Sequence, residues 1–221
     1  MSKPPVTPAS PIGSPQASLD ELIGGYRRFR ASGWLAERER FEMTAELGQS
    51  PHTMVVACSD SRVDPQMILG ARPGELFVVR NIANLVPPFE HDAAHHGTSA
   101  ALEFGVRSLA VKNLMIMGHG MCGGIRALLT GSPPDSDFLE RWIAIAAPAR
   151  ARTEGVEPLE ARLKACEEEA VRLSLANLMT FPWIAEAVGA GSLALHGAYF
   201  DIRHGVLSIL GEDGAFSPAS A

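Results

Sequence analysis

Cys58-Ser59-Asp60-Ser61-Arg62 and, about sixty residues later, Gly118-His119-Gly120-Met121-Cys122-Gly123-Gly124 are the segments richest in potential chemistry. Together they offer Cys58, His119 and Cys122. Zinc favours such a soft Cys2His set, and three protein ligands leave a fourth position for water or substrate. Two thiolates balance a divalent ion, and a neutral imidazole adds no charge. Zinc lowers the pKa of a bound water to about 7, which makes hydroxide available at neutral pH. The residue types therefore point to hydration or hydrolysis.

Asp60 admits two roles. It can be a fourth ligand, or it can stand free and accept a hydrogen bond from the bound hydroxide. Arg62 bears on the choice, because a guanidinium can grip a carboxylate with two parallel hydrogen bonds. So held, Asp60 stays off the metal and stays ionised. An ionised carboxylate only accepts, which favours a hydroxide whose lone pair faces the substrate. Gly118, Gly120, Gly123 and Gly124 permit close backbone approach and turns with positive φ. No Lys-Ser/Thr pair follows them, which argues against a Walker-type phosphate loop. A helix beginning near Gly123 would turn its amides toward the thiolates or a bound anion.

Strand ends must position these loops. Thr53-Met-Val-Val-Ala-Cys58 is a short apolar run that stops abruptly in polar residues, the pattern of a buried parallel strand. Leu76-Phe-Val-Val-Arg80 and Asn113-Leu-Met-Ile-Met117 repeat it, and Gly118 ends the latter. Residues 192–199 predict a fourth strand, and 205–210 a fifth, antiparallel one. Residues 98–109 predict a helix with Leu102, Gly105, Val106 and Leu109 on one face. Between 135 and 188 the apolar spacing is helical throughout, with Phe138, Trp142 and Ile145 in one stretch. Leu163, Cys166, Ala170 and Leu173 form another, in which Cys166 reads as a small buried apolar residue. Residues 19–47 predict a helical arm bent near Ser32-Gly33, with Leu22, Ile23, Tyr26 and Phe29 in one stripe.

Strands alternating with helices define an α/β domain with a mainly parallel central sheet, flanking helices and an antiparallel C-terminal strand. Cys58 ends one strand, and His119 and Cys122 follow another, so both loops fall at carboxyl ends, where open α/β sheets bind ligands. The expected organisation is a Pro/Ser/Ala-rich tail at 1–18, one domain over 19–211 whose first part, 19–47, is the arm, and a second tail at 212–221.

A net charge of −6 disfavours a sequence-independent nucleic-acid binder, which needs a basic face. Three cysteines without close spacing do not make a disulfide framework, and reduced thiols suit the cytoplasm. No apolar run is long enough to span a membrane, and residues 1–18 lack the apolar core of a secretory signal.

The motifs strongly resemble those of the β-class carbonic anhydrases. The matching text is Ala57-Cys-Ser-Asp-Ser-Arg-Val63, Pro73-Gly-Glu-Leu-Phe-Val-Val-Arg-Asn-Ile-Ala-Asn-Leu-Val-Pro87 and Gly118-His-Gly-Met-Cys-Gly-Gly124. The likeness runs from about 55 to 129 and resumes weakly at Leu195-His-Gly-Ala-Tyr-Phe-Asp-Ile202. It implies zinc on Cys58, His119 and Cys122, with Asp60 joining only in a closed state. It also implies a catalytic dyad of Asp60 and Arg62, and reversible hydration of CO2 to bicarbonate. A homodimer or larger homo-oligomer follows from it, with N-terminal helices gripping a partner.

The resemblance further places Gln49, Phe77, Ile82, Phe104 and Gly123 around the substrate. Val55 stands where bicarbonate-inhibited members carry Trp, and Gln49 matches the plant-like members, so the open-zinc type is expected. Two departures stand out: Phe104 replaces a tyrosine, and Gly120 replaces Ser or Tyr, which leaves a gap beside the zinc loop. His52, His91, His95 and His96 are candidate proton shuttles, since imidazole titrates near neutrality. Hydrolysis of carbonyl sulfide or carbon disulfide would use the same motifs. A non-enzymatic zinc protein would be expected to lack the dyad or to carry a fourth permanent Cys or His ligand.

Overall fold

The computed structural model describes residues 15–92 and 95–219, which form two compact units dividing between Gly48 and Gln49. The expected tail at 1–14, and residues 220–221, lie outside the described residues. Pro15 to Ser18, read from sequence as part of that tail, instead open the first helix, Pro15–Arg28.

In the N-terminal unit the expected bend is a widened turn over Phe29–Gly33, followed by helices Trp34–Ala36 and Arg38–Leu47. The Ser32 hydroxyl donates to the Arg28 carbonyl at 3.0 Å, a back-bond that bends helices. Leu22 (73%), Tyr26 (60%) and Phe29 (41%) are exposed.

The second unit is an α/β fold built on one six-stranded sheet, in spatial order β2-β1-β3-β4-β5-β6. The strands are β1 Thr53–Cys58, β2 Leu76–Asn81, β3 Asn113–His119, β4 Ala194–Asp201, β5 Val206–Leu210 and β6 Phe216–Pro218. β2, β1, β3 and β4 run parallel, and β5 and β6 are antiparallel. β6 adds a short strand within residues that the sequence pattern left as a tail. It is three residues long and carries one large apolar side chain, Phe216, so periodicity has nothing to register.

β1 is buried along its whole length, which explains its unbroken apolar run. Met54 and Val56 join Leu114, Ile116, Val171, Leu178 and Ile184 in one core cluster. Val55 and Ala57 pack with Met117 and Ala198 in another. Each such Val, Leu or Ile contributes roughly 1.5–3 kcal/mol by leaving water. The helix Leu159–Leu178 packs on β3 and β4. Its buried face includes Leu163, Cys166, Ala170, Val171, Ser174 and Leu178, recurring at three- and four-residue spacing. Cys166 is buried as expected. The predicted helix at 98–109 is observed as Gly97–Glu103 plus a widened turn, Phe104–Ser108. Among the described residues, no helix is long and apolar enough to cross a membrane.

Candidate active site

Register brings the two loops together. β1 and β3 are neighbours and parallel, so the residues following Cys58 and His119 leave the sheet at the same end. The ligand atoms of Cys58, His119 and Cys122 all lie within 4.8 Å of one another, and all three residues are buried. His119 Nδ1 lies 2.9 Å from the Gly120 carbonyl, which can only accept, so Nδ1 carries the proton. Nε2 then presents a lone pair, yet it is buried with no hydrogen-bond partner among the described residues. A buried acceptor without a partner is costly, and a metal ion would satisfy it.

The sulfurs make the same case. A hydrogen bond from Cys122 pulls the Cys58 thiol below its ordinary range, and that contact together with burial pushes Cys122 up. Two sulfurs this close both stay anionic only with a cation between them. Cys122 sits at the N-cap of the helix Gly123–Thr130, and the backbone N–H groups of Ile125 and Gly124 favour its thiolate against the larger opposing effects of Cys58 and burial. The donor set fits a zinc ion with three protein ligands.

Asp60 is not one of this group and is held by Arg62 instead. Arg62 donates Nε to Oδ1 at 2.9 Å and Nη2 to Oδ2 at 2.7 Å, while its backbone N–H reaches Oδ1 at 3.0 Å. The bidentate grip holds the Asp60 carboxyl well below the usual carboxylate range. The same Nη2 reaches the Met121 carbonyl at 3.1 Å and so ties one loop to the other. Met121 has φ 59°, and Ala83 and Asn84 in the turn after β2 have φ 63° and 48°. The glycines between 118 and 124 permit positive φ, but in this loop it falls on Met121; left-handed non-glycine residues cluster at functional sites.

A cleft of about 280 Å3 opens here, lined by Cys58, Ser59, Asp60, Ile82, Gly123, Gly124 and Leu139. An adjoining, mostly apolar pocket shares Ile82 and Leu139 and adds Asn81, Gly97, Thr98, Phe138 and Trp142. Ile82 and Gly123 are thus at the cleft. Gln49 is exposed and does not line it, and neither do Phe77 and Phe104, whose rings lie against each other at 5.8 Å. Among the shuttle candidates, His52 bonds Thr53 at the start of β1, the end remote from Cys58. His91 faces Phe89, and His95 is exposed. His96 pairs with Asp92 at 2.7 Å and directly precedes Gly97 and Thr98 of the adjoining pocket.

Sequence inspection missed two supports. Arg80 donates Nε to the Cys58 carbonyl at 2.9 Å and Nη2 to the Asp60 carbonyl at 2.7 Å. A lone charge near the end of an apolar strand was the available clue. Glu167, 3% exposed, accepts from the Cys122 N–H at 2.9 Å and from the Tyr199 hydroxyl at 2.8 Å. Burial raises the pKa of both side chains. Here the clue was an acid in the apolar stripe of a helix. The gap expected beside Gly120 is closed: a Cβ there would sit 3.1 Å from the Tyr199 hydroxyl oxygen.

A mainly parallel sheet carries a buried Cys2His cluster that could hold a metal ion beside a clamped carboxylate, and the comparisons identify the family. The carbonic anhydrase family model matches residues 53–207, and the chain belongs to this family. It is 38% identical over 190 residues to beta carbonic anhydrase 6, mitochondrial, of Arabidopsis thaliana, an alignment covering 83% of this chain and 64% of that protein. The chain therefore spans less than two thirds of that relative's length. Among solved structures, the β-carbonic anhydrase CcaA matches with a TM-score of 0.86 at 29% identity, covering 93% of both chains. One of two tetrameric β-carbonic anhydrases of Sordaria macrospora matches with a TM-score of 0.79 at 27% identity, covering 92% of this chain and 100% of that one. The β class and its fold, expected from the motifs, are thereby established.

Proposed function

We propose that the protein catalyses the reversible hydration of CO2 to bicarbonate and a proton, with zinc held by Cys58, His119 and Cys122. The observation that carries this reading is the conjunction of a buried His119 Nε2, without a hydrogen-bond partner among the described residues, in one cluster with the Cys58 and Cys122 sulfurs, and an arginine-clamped carboxylate beside Cys58 on the cleft. Zinc, when bound, supplies the Lewis acidity that lets water ionise near neutral pH.

Asp60, kept ionised by Arg62, can only accept a proton-bearing group. It therefore orients the nucleophile's O–H toward itself and its lone pair toward the cleft. Ile82, Gly123 and Leu139 wall a niche suited to a small apolar substrate. Gln49, Phe77 and Phe104 take no part in the cleft that this chain forms by itself. His96 is the shuttle candidate nearest in sequence to the pocket lining. The intact Asp60–Arg62 pair supports the open-zinc type. The reported relatives are carbonic anhydrases, so carbonyl sulfide hydrolysis gains no support from them.

The tetrameric relative and the exposed Leu22, Tyr26 and Phe29 support a homodimer or larger assembly. Light scattering should give at least twice the 23.6 kDa chain mass, and a monomer at micromolar concentration would refute this. We place the protein in the cytoplasm because its cysteines are free; the Arabidopsis relative is named mitochondrial, and cell fractionation decides between the two. Stopped-flow CO2 hydration assayed beside carbonyl sulfide hydrolysis tests the activity. A zinc-replete protein inert toward CO2 would overturn it.

A further inference from the structure

Glu167 is a buried carboxylate with no part in the chemistry described above. It lies on the helix Leu159–Leu178, far in sequence from both motifs. Gly118 explains how it reaches the site. A Cβ on Gly118 would come within 2.5 Å of Val171, so its absence lets that helix press close over the end of β3. Register sets Tyr199 of β4 opposite Gly118. The two Glu167 oxygens are then divided, Oε1 to the Cys122 N–H at 2.9 Å and Oε2 to the Tyr199 hydroxyl at 2.8 Å. That hydroxyl also occupies the space a side chain at position 120 would need.

A neutral carbonyl could satisfy the Cys122 N–H at lower desolvation cost than a buried carboxylate. What Glu167 adds is an acceptor held from both sides, one oxygen on the Cys122 N–H and the other on the Tyr199 hydroxyl. We propose that Glu167 and Tyr199 are positioning residues that fix the Cys122 ligand through its backbone, with Gly120 kept small so that the Tyr199 hydroxyl can stand where it does. The inference rests on Cys122 being a metal ligand. It does not rest on the reaction catalysed.

The test uses the full-length, metal-loaded protein with two readouts: zinc transfer to a chromogenic chelator, and the thiolate-to-metal band of the cobalt-substituted form. Removal of a group that supports a ligand typically costs 10–100-fold in metal affinity. Glu167→Ala should lose zinc affinity by about that factor and shift the cobalt band. Glu167→Gln keeps an oxygen for Cys122 and an amide for Tyr199, and should stay within a few-fold of wild type. Tyr199→Phe and Gly120→Ala should each give a smaller shift of the same band. Their combination should be less than additive, since both act on one hydroxyl.

A folded Glu167→Ala with wild-type affinity and spectrum overturns the proposal, as does Glu167→Gln failing as badly as Glu167→Ala. Should Glu167→Ala not fold, an unshifted band in Tyr199→Phe overturns it instead. A chain that binds metal but is inert toward CO2 refutes the proposed function and leaves this inference standing. A wild type that binds no metal, or keeps it fully in Cys122→Ser, refutes the site and this inference together.

Discussion

The loops after β1 and β3 meet at one cluster, yet they are held in opposite ways. The first is braced from the half-exposed side by cations: Arg62 on the Asp60 carboxylate, and Arg80 on the Cys58 and Asp60 carbonyls. The second is braced from inside by a buried acceptor, the Glu167 carboxyl, and a phenol, Tyr199. The contrast follows from what each loop holds. Asp60 must remain ionised beside a cleft open to water, and an arginine partner secures that. Cys122 must remain fixed in a buried corner, where a backbone donor needs an acceptor that does not move. On the proposed function both loops supply metal ligands, Cys58 from the first and Cys122 from the second, while the acid–arginine pair belongs to the first alone.

The largest expected effect falls on the metal. Cys58→Ser and Cys122→Ser should each lose most of the zinc, measured by elemental analysis of the purified protein, because a hydroxyl is a far poorer ligand than a thiolate. Full occupancy in either variant would break the assignment. Next comes Arg62→Ala, which should lower CO2 hydration by roughly tenfold or more while zinc stays, since the grip on Asp60 and the tie to the Met121 carbonyl are lost but all three metal ligands remain.

The same variant has a pH consequence. In the wild type the folded-state pKa of Asp60 is depressed, chiefly by the Arg62 hydrogen bonds. Its stabilising contribution is therefore complete above the unfolded value of about 3.9, and is lost as pH falls through the lower folded value. Without Arg62 the carboxyl should titrate close to about 3.9, and carbon NMR of the carboxylate can follow it. An unchanged titration would show that the clamp is not the cause.

The smallest effect should come from Arg80→Met. Losing its hydrogen bonds to two carbonyls should cost about 1–3 kcal/mol in urea unfolding, with zinc retained. A cost below about 0.5 kcal/mol would mean that the β1 loop holds its shape without it.

The contrast also explains what was legible in the sequence. Asp60 and Arg62 are two residues apart, and His119 and Cys122 three, so their chemistry is compressed into text that can be read locally. The parallel strands were equally plain, β1 most of all because it is buried throughout and its apolar run is unbroken, whereas β6 left no signal. Glu167 and Tyr199 approach the second loop only through the packing of a helix over Gly118 and the β3–β4 register. Neither is encoded in spacing near the motif. The filling of the Gly120 gap by Tyr199 was hidden for the same reason. Phe77 and Phe104 were placed at the substrate by the family resemblance alone; in this chain their rings lie against each other and outside the lining of this cleft.

The division of labour between the loops is tested most directly by Asp60→Asn, with CO2 hydration and zinc content measured on the same preparation. An amide can donate as well as accept, so it no longer enforces the orientation of the nucleophile. The account predicts near-stoichiometric zinc and a rate lower by about 100-fold or more, the usual scale for losing one preorganised hydrogen-bond partner of the reacting group. A zinc-replete variant hydrating CO2 at close to the wild-type rate would contradict it.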